Sequence, residues 1–395
     1  MPRFSVVVPT RDRPDLLAFC LESLAAQTFA EVEVVVADNP TTAPARAVFD
    51  RLAEPGWRYI RPEAPLAMHD NFERAVDAAT GDYVAVVIDK TLLHPSALAV
   101  ADRALRAQPA DIVTWQNERF IPVDEERNLA RGRFAPIDTP RAPVLYDATA
   151  ELATRYANAS RRGVDRVHYV RGKIVFGAFS RPLLERIRAH AGRVFHPLAP
   201  DYTSMVPASV LAEGALDLGR PLLLSYSSMR SNGRRVAADP GQSRRFIEAA
   251  DPALIEALPI PGLYTSVHNI VGYDLASSGA RLPAGSTPPL DMPNLVRRAR
   301  EDLGEVGWTD EAERAAQFEL LEEAERRYGV TPVTEPAAEP AGPARRWLDA
   351  ALRHDPVRRV ASRLTDRIGP LPPTYASPVD AAAAADRHYT ELAVR

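Results

Sequence analysis

The 395-residue chain contains a single cysteine, Cys20, and only two lysines, Lys90 and Lys173. One cysteine excludes an internal disulfide and a cysteine-rich metal site. Its place on the apolar side of a predicted helix indicates a core residue. The remaining Lys-or-Arg positions are all arginine, so a lysine anywhere is mildly surprising. Chance explains the two lysines as simply as a functional role does.

Long apolar runs and a strong net charge are also absent. No run approaches the roughly 20 apolar residues of a membrane span, and the opening residues MPRFSVVVPT lack the long apolar stretch of a signal peptide. The net charge of −4 gives no indication of nucleic-acid binding. Composition and length are typical of a soluble globular protein with two domains, or one domain with long additions. We therefore expect a cytoplasmic protein without a nucleic-acid partner.

Glycine is missing from the loop after the first predicted strand, VVVPTRDRPDLL. A dinucleotide-binding fold needs GxGxxG at this point, and a P-loop needs its own glycines followed by Lys-Ser/Thr. Both kinds of site are therefore excluded. A Pro-Thr turn followed by Arg11 and Arg13 instead offers a hydroxyl and two guanidinium groups.

The first ~115 residues alternate strands and helices by their apolar period. Strands are predicted over 4–10, 32–39, 57–62, 82–88 and 110–116, with helices between them over 13–27, 43–52, 68–81 and 95–108. Repeated strand–helix units imply a parallel sheet with helices on its faces. In such sheets ligands bind beyond the carboxyl ends of the strands. Those ends carry the polar clusters Pro9-Thr10-Arg11, Asp38-Asn39 and Asp89-Lys90-Thr91.

After residue ~117 the pattern is less regular, and helices dominate it. Helices are predicted over 181–191, 201–214, 261–279, 290–303 and 309–328, with a strand over 220–228. We expect Pro207 to kink the second of these helices. Residues 331–344 form a Pro/Ala-rich linker.

A further helix is predicted over 355–369, where Asp355 caps it, Pro356 takes the first position and Gly369 ends it. Valine, leucine and isoleucine side chains share one face, and arginines lie largely on the other. Such a helix could contact an anionic membrane surface, which would place the protein at the inner membrane face. The alternative, which we prefer, is packing on its own protein or on a second subunit.

Three segments resemble glycosyltransferase family 2, whose fold is called GT-A. They are FSVVVPTRDRPDLLAFCLESLAAQTF, EVVVADNPTT and NFERAVDAATGDYVAVVIDKTLLHPSAL, and together they cover roughly residues 3–110. Residues 170–235 fit the family more loosely. The resemblance implies an α/β, Rossmann-like sandwich with a mostly parallel sheet, flanking helices and a mainly helical C-terminal region.

With that fold the chain divides into five parts. We expect a nucleotide-sugar-binding half, an acceptor-side half, a helical extension, the linker and an amphipathic helical tail, over 1–117, 118–238, 239–330, 331–344 and 345–395.

The same resemblance places ten residues at the donor: Pro9, Thr10, Arg11, Arg13, Asp38, Asn39, Asn71, Asp89, Lys90 and Thr91. Asp38 would accept a hydrogen bond from a ring N–H of the base; the simpler alternative is a turn-forming Asp-Asn-Pro. Asn71 matches an asparagine on a helix near the donor.

The family usually has D-x-D or D-D-D where this chain reads Asp89-Lys90-Thr91. Asp89 would hold the ribose, while the usual metal ligand has become Thr91, and a hydroxyl binds Mg²⁺ or Mn²⁺ poorly. Lys90, with Arg11 or Arg13, could offset the growing charge of the leaving diphosphate instead. Two alternatives stay open. Either Asp89 holds a metal together with phosphates, waters and a later histidine, or the site is degenerate.

On the acceptor side, Asp201 matches the position of the family's general base, which takes the proton of the attacking hydroxyl. The alternative is a plain helix N-cap. Lys173 and His196 are weaker candidates for acceptor contacts, and His94 or His196 would be the later histidine of a metal site. The polar segment SSMRSNGRR, 227–235, follows a strand and is either a loop over the donor phosphates or a solvated turn.

These observations favour an inverting glycosyltransferase that moves a sugar from a UDP-, GDP- or TDP-linked donor to a hydroxyl of a polysaccharide, glycolipid or small molecule. The alternative is a catalytically inert sugar-nucleotide-binding or assembly protein. Nucleotidyl transfer is disfavoured because its glycine-rich loop is missing after strand 1.

Overall fold

The computed structural model describes residues 2–137, 140–158, 169–227, 231–331 and 372–394. Its strands are β1 Phe4–Thr10, β2 Val32–Asp38, β3 Arg58–Ile60, β4 Tyr83–Val86, β5 Thr91–Leu93, β6 Ile112–Asp124, β7 Asn128–Arg133, β8 Val144–Leu145, β9 Gly177–Ser180, β10 Ala215–Tyr226 and β11 Thr374–Tyr375.

The helices of these residues are α1 Pro14–Ala25, α2 Arg46–Leu52, α3 Met68–Asp77, α4 Ala97–Ala107, α5 Ala148–Tyr156, α6 Arg181–Ala191, α7 Pro200–Leu211, α8 Asn232–Ala238, α9 Pro240–Glu248, α10 Leu254–Ala257, α11 Val267–Gly279, α12 Met292–Glu305, α13 Glu311–Tyr328 and α14 Pro378–Val394. A 3₁₀ turn covers Ile174–Phe176.

The strands form one mixed sheet in the order β11-β7-β6-β9-β4-β1-β2-β3, and β10 pairs with β5, β6 and β8. The two longest ladders, β1–β2 and β6–β10, are parallel. β9 runs antiparallel between β4 and β6. The predicted α/β class, with a largely parallel sheet and a helical C-terminal region, is confirmed.

β1 explains how the sheet forms. Its seven residues, FSVVVPT, are all buried, as expected of a β-branched strand covered on both faces. Val6 and Val8 point into the core beneath α1 and α4, whereas Val7 joins the core beneath α3 and α6. Because β1 pairs with β2 in the register Thr10↔Asp38, the carboxyl ends of both strands lie side by side.

Helix α1 shows the expected N-terminal proline, with Pro14 in its first turn. Cys20 is fully buried on its inner face, which confirms a core role. Burial raises the pKa of the Cys20 thiol well above its usual range, so the thiol is unreactive.

Two elements differ from their predicted bounds. β10 begins at Ala215 in the structure, whereas the sequence predicted a strand from residue 220. Gly219 and Pro221 are residue types typical of turns, so the apolar pattern did not extend the predicted strand through them. In the structure they lie at a shift in the β6–β10 register, and Gly219 has a positive φ of 66°, so a bulge accommodates them. Helix α7 runs through Pro207, which is buried within it.

The C-terminal helices of the described chain pack in two different regions of the protein. Helices α8–α13 form their own apolar clusters, and α11 packs on α7. Helix α14 returns to the N-terminal half and packs on α1, β5 and β10. The predicted helix over 355–369, and the predicted linker beyond residue 331, lie outside the described residues. No helix in the described ranges is long and apolar enough to cross a bilayer.

Candidate functional site

The three predicted polar clusters meet at the carboxyl edge of the sheet. Thr10 donates from Oγ1 to Asp89 Oδ2 at 2.8 Å, and the backbone N–H of Asn39 donates to the Thr10 carbonyl at 3.0 Å. Parallel β1, β2 and β4 bring these ends together, as expected from their directions. The structure therefore places Thr10, Asn39 and Asp89 in one continuous hydrogen-bonded edge.

Asp89 lies beneath this edge, and none of its side chain is exposed. A guanidinium nitrogen of Arg13 lies 3.0 Å from Oδ1, and Thr10 occupies Oδ2. Burial raises the pKa of the Asp89 carboxyl, although Arg13 opposes this shift. Both carboxylate oxygens thus have partners within the protein, and the proposed contact with a ribose stays a prediction.

Asp38 is also fully buried, and it ties β2 to the segments beside it. Its Oδ2 accepts hydrogen bonds from the Ala45 backbone N–H at 2.8 Å and from the Tyr59 hydroxyl at 2.5 Å. Its Oδ1 has no hydrogen-bond partner among the described residues. Asp38 therefore does more than form a turn, and its Oδ1 is a buried acceptor without a partner among the described residues, while the contact with a base N–H stays a prediction.

Two asparagines hold the backbone around the same edge. The side chain of Asn39 both donates to and accepts from the backbone of Leu66, each at 2.9 Å. Asn71 donates from Nδ2 to the Ala37 carbonyl at 3.0 Å, and its buried Oδ1 has no partner among the described residues. Asn71 thus joins α3 to the end of β2, next to Asp38.

The cations lie above the buried carboxylates. The Arg11 side chain is 49% exposed and that of Arg13 is 19% exposed. Lys90 is only partly exposed, and its Nζ donates to Ser231 Oγ at 2.5 Å. Burial, with repulsion from Arg13, lowers the pKa of Lys90 to about 8. Ser231, at the start of α8, therefore brings the segment after β10 beside the Asp89-Lys90-Thr91 motif.

Sequence reasoning missed Asp12, which lies in the loop after β1 at a positive φ of 54°. Its Oδ1 accepts hydrogen bonds from the backbone N–H groups of Thr41, Thr42 and Ala43 at 2.8–3.0 Å. Burial would raise the pKa of Asp12, but these hydrogen bonds outweigh it and hold the pKa well below its usual range. Asp12 thus fixes the loop after β2 against the arginine-bearing loop. The available sequence signal was the residue type, because aspartate adopts a positive φ in loops more often than most residues do.

On the acceptor side, Asp201 lies in the first turn of α7, and Lys173 Nζ is 3.0 Å from its Oδ2. The N-cap of α7 is Ala199, so Asp201 is not the capping residue. Its side chain is 25% exposed. Asp201 is therefore accessible in a way that Asp38 and Asp89 are not.

Lys173 is fully buried between two aromatic rings, 4.0 Å from the Tyr169 centroid and 3.7 Å from that of Tyr202. Burial would lower the pKa of Lys173, but the Asp201 carboxylate outweighs it and raises the pKa. Lys173 therefore carries a positive charge that holds Asp201 in place.

The two histidines lie in different surroundings. His94 is fully buried and its Nε2 is 3.2 Å from Glu118 Oε2, with Tyr389 of α14 stacked on its ring. The suggestion that His94 completes a metal site stays a prediction, and the group facing His94 in the structure is the buried carboxylate of Glu118. His196 exchanges backbone and hydroxyl hydrogen bonds with Thr203, and burial lowers its pKa to about 4. His196 is therefore neutral at neutral pH.

The residues at the motif do not fit a divalent cation. Thr91 donates its hydroxyl to the Ile88 carbonyl at 2.7 Å, and Asp89 is engaged by Thr10 and Arg13. Within the described residues, no three His, Cys, Asp or Glu side chains are arranged to hold a metal ion. An oxygen-rich site for Mg²⁺ or Mn²⁺ needs several free carboxylates or carbonyls.

A cleft of about 650 Å³ opens at the opposite edge of the sheet, between Arg3, Asp82, Asp111 and Ser180. Several of its charged side chains pair with neighbours, as Arg3 does with Asp82 and Asp111 with Arg186. It lies at the amino ends of β1 and β4, away from the predicted site.

Comparison with known proteins finds a family match for part of the chain. Residues 5–143 match the model described as Glycosyl transferase family 2. The match confirms the resemblance drawn from the first 110 residues.

Several relatives of the family 2 segment carry glycosyltransferase names. A PGL/p-HBAD biosynthesis glycosyltransferase of Mycobacterium bovis is 31% identical over 116 residues, which cover 28% of this chain and 45% of that protein. A GalNAc(5)-diNAcBac-PP-undecaprenol beta-1,3-glucosyltransferase of Campylobacter jejuni is 28% identical over 102 residues, 25% of this chain and 33% of that protein. The chain spans less than half the length of these curated relatives.

Among solved structures, S. aureus TarS 1-349 in complex with UDP-GlcNAc is 14% identical, covers 99% of this chain and 92% of that chain, and has a TM-score of 0.44.

Proposed function

We propose that the protein transfers a sugar from a nucleotide-diphosphate donor to a hydroxyl acceptor, with inversion at the anomeric carbon. One observation carries this proposal: three strand ends of a family 2 segment join through Thr10, Asn39 and Asp89 beneath the cations of Arg13 and Lys90. The glycosyltransferase names of the relatives support the same class.

The donor diphosphate would lie on the cationic layer. Arg11 is the most exposed of the three cations, and Lys90 and Arg13 are close enough to repel each other electrostatically. Such a cluster is costly without an anion and stabilised by one. Asp89, beside Arg13, and Asp12, 3.9 Å from Arg11, neutralise only part of it, so a bound diphosphate would balance the remaining positive charge. UDP-, GDP- and TDP-linked sugars all present this diphosphate.

In the reaction, the acceptor oxygen attacks the anomeric carbon while the bond from that carbon to the diphosphate oxygen breaks. The leaving oxygen takes the bonding electron pair, and fixed cations stabilise the charge that develops there. Lys90 and Arg13 supply these cations in our proposal, so a divalent metal is not required. Asp201 takes the proton of the acceptor hydroxyl. Its Oδ2 contacts Lys173 at 3.0 Å, which leaves Oδ1 for the acceptor.

The experiment compares donor binding, donor hydrolysis and transfer with UDP-, GDP- and TDP-sugars, each with a chelator and with added Mn²⁺. We expect one nucleotide class to raise the melting temperature and the sugar to be released or transferred in chelator. Lys90→Ala should lose this turnover, whereas the matched control Arg46→Ala, an exposed cation on α2, should retain it. A strict requirement for Mn²⁺, or full activity of Lys90→Ala, would contradict metal-independent transfer.

An inert sugar-nucleotide-binding protein is the second candidate, and the engagement of both Asp89 oxygens by Thr10 and Arg13 favours it. The same experiment separates the two functions. Stabilisation by a nucleotide without hydrolysis or transfer would support the inert protein, and no stabilisation by any nucleotide would contradict both.

A further inference from the structure

A carboxylate of the helical region beyond the family 2 segment reaches the start of α7. Asp274, on α11, is fully buried. Its Oδ1 accepts the backbone N–H of Leu198 at 2.6 Å, and its Oδ2 accepts that of Ala199 at 3.0 Å. Leu198 and Ala199 are the residues that lead directly into Pro200 and Asp201. One side chain therefore fixes the backbone on which the proposed base is mounted.

This contact answers a local need of the sequence. The N–H groups of Leu198 and Ala199 are buried by α11 and need acceptors from elsewhere in the protein. Asp274 supplies both acceptors, even though burial raises the pKa of its carboxyl well above the usual range. A buried carboxylate is costly, so its use here calls for a role.

Asp201 is thus held from two sides. Asp274 fixes the backbone before it, and Lys173 pairs with its carboxylate at 3.0 Å. Lys173 belongs to the segment before β9, whereas Asp274 comes from a helix about a hundred residues later in the chain. General-base catalysis depends on such alignment, since a displacement of about 1 Å costs about 10²-fold in rate.

We propose that Asp274 is a positioning residue for Asp201, through which helix α11 holds the general base against the acceptor hydroxyl. This inference rests on the proposed function. It assigns α11 to the acceptor side of the site, and it predicts that substitution of Asp274 lowers turnover and leaves donor binding unchanged.

The test is Asp274→Asn in the full chain. The amide keeps the size of the side chain but presents an NH₂ group to one of the two backbone N–H groups. We expect kcat for transfer to fall at least about tenfold, with KM for the donor and the nucleotide-induced rise in melting temperature within about twofold of the wild type. The crystal structure of the variant should show residues 198–201 displaced.

The matched control is Asp302→Asn. Asp302 is a buried carboxylate of the same helical region, and its Oδ2 accepts from Ser266 Oγ at 2.9 Å and from the His268 backbone N–H at 2.8 Å. These contacts lie at the start of α11. We expect this variant to lose stability to a similar extent and to keep kcat within about twofold.

Should Asp274→Asn fail to fold, Ala199→Pro removes the N–H that Oδ2 accepts. The backbone at Ala199 is extended, with φ −100° and ψ 106°, so proline also draws φ toward about −65°. An unchanged kcat in both variants, an equal loss in Asp302→Asn, or an unmoved segment 198–201 would overturn the inference. A wild-type protein that binds nucleotide without transfer would contradict the proposed function instead, and the displacement of residues 198–201 would still decide the role of Asp274.

Discussion

The proposed donor edge of the sheet and the proposed acceptor side differ in the exposure of their carboxylates. Asp38 and Asp89 have no exposed surface and hold backbone, hydroxyl and guanidinium groups in place. Asp201 is 25% exposed and contacts a buried lysine. The difference suits the two tasks, because a donor's phosphates need cations at the surface and a general base needs an accessible carboxylate. In the proposed function, the buried acids organise the cations that bind the donor, and the accessible Asp201 takes the acceptor proton.

Asp201→Asn is the substitution with the largest expected effect, and it tests whether the accessible carboxylate acts as the general base. Loss of a general base lowers transfer by about 10²- to 10⁴-fold, while the nucleotide-induced rise in melting temperature stays unchanged. Stability also falls, since the fully buried Lys173 loses its counter-charge. Assays below the melting temperature, with the exposed Glu185→Gln as control, separate the two effects. Transfer near the wild-type rate would remove Asp201 from the role of base.

Asp38→Ala tests the structural task of the donor carboxylates. It leaves the Ala45 N–H and the Tyr59 hydroxyl without their acceptor, so we expect the free energy of unfolding to fall by about 3 kcal/mol. Asp50→Ala is the matched control, because Asp50 is exposed and pairs only with Arg46 on the same helix, and should cost less than about 1 kcal/mol. Equal losses in the free energy of unfolding, measured by urea denaturation, would show that the buried Asp38 contributes no more to stability than the exposed Asp50.

Tyr389→Phe examines how the returning helix α14 supports the donor half. The Tyr389 hydroxyl donates to Glu118 Oε1 at 2.5 Å, and Glu118 also faces buried His94. Its loss removes one donor to this buried oxygen, which also accepts from the Ile137 backbone N–H, and should cost about 2 kcal/mol. Thr390→Ala, one residue further along on the exposed face of α14, should change stability by less than about 0.5 kcal/mol. Unfolding transitions of the two variants that coincide would contradict this.

The smallest expected effect is the pH dependence of donor affinity. Lys90 has a pKa of about 8 in the free protein, so its charge, and the affinity for a nucleotide diphosphate, should fall about tenfold between pH ~7 and ~9. Lys90→Arg keeps its charge over this range and should abolish the dependence. A wild-type profile that is flat, or one that Lys90→Arg retains, would argue against a phosphate contact by Lys90.

Stability of the nucleotide-free protein should follow the opposite sign. Because burial lowers the pKa of Lys90 from 10.5 to about 8, the folded state releases this proton first. Between these values the unfolded state binds more protons, so the contribution of Lys90 to the free energy of unfolding rises with pH. Binding and stability measured on the same samples therefore distinguish a ligand contact from a general loss of structure.

The secondary structure of the N-terminal half could be predicted from the sequence, because the patterns that indicate it extend over only a few residues. Alternating apolar runs and helix punctuation predicted β1, β2 and α1 to within about two residues, and parallel strand direction predicted that Thr10, Asn39 and Asp89 would meet. The roles of these residues toward a donor stay predictions. Periodicity could not predict their hydrogen-bond partners. Examples are Tyr59, whose hydroxyl donates to Asp38, and Asp12, which accepts from the loop after β2.

The contacts of the proposed acceptor side were harder to predict from the sequence, because they join segments that are far apart in the chain. Lys173 and Asp201 were named as separate candidates, and nothing in the sequence paired them. Asp274 carried no signal at all, because a buried aspartate on a helix resembles an ordinary polar position until the chain it contacts is known. Helix α14 likewise follows residues outside the described ranges, and its alanine-rich face does not indicate where it packs.

By itself the sequence determined the α/β class and the edge of the sheet that carries polar residues. These follow from local period and residue type, which act on a scale of a few residues. Only the tertiary structure decided which charges are buried and which are accessible. Burial and ion pairing depend on segments far apart in the chain, such as Lys173, Asp201 and Asp274, and no local pattern records which of them touch.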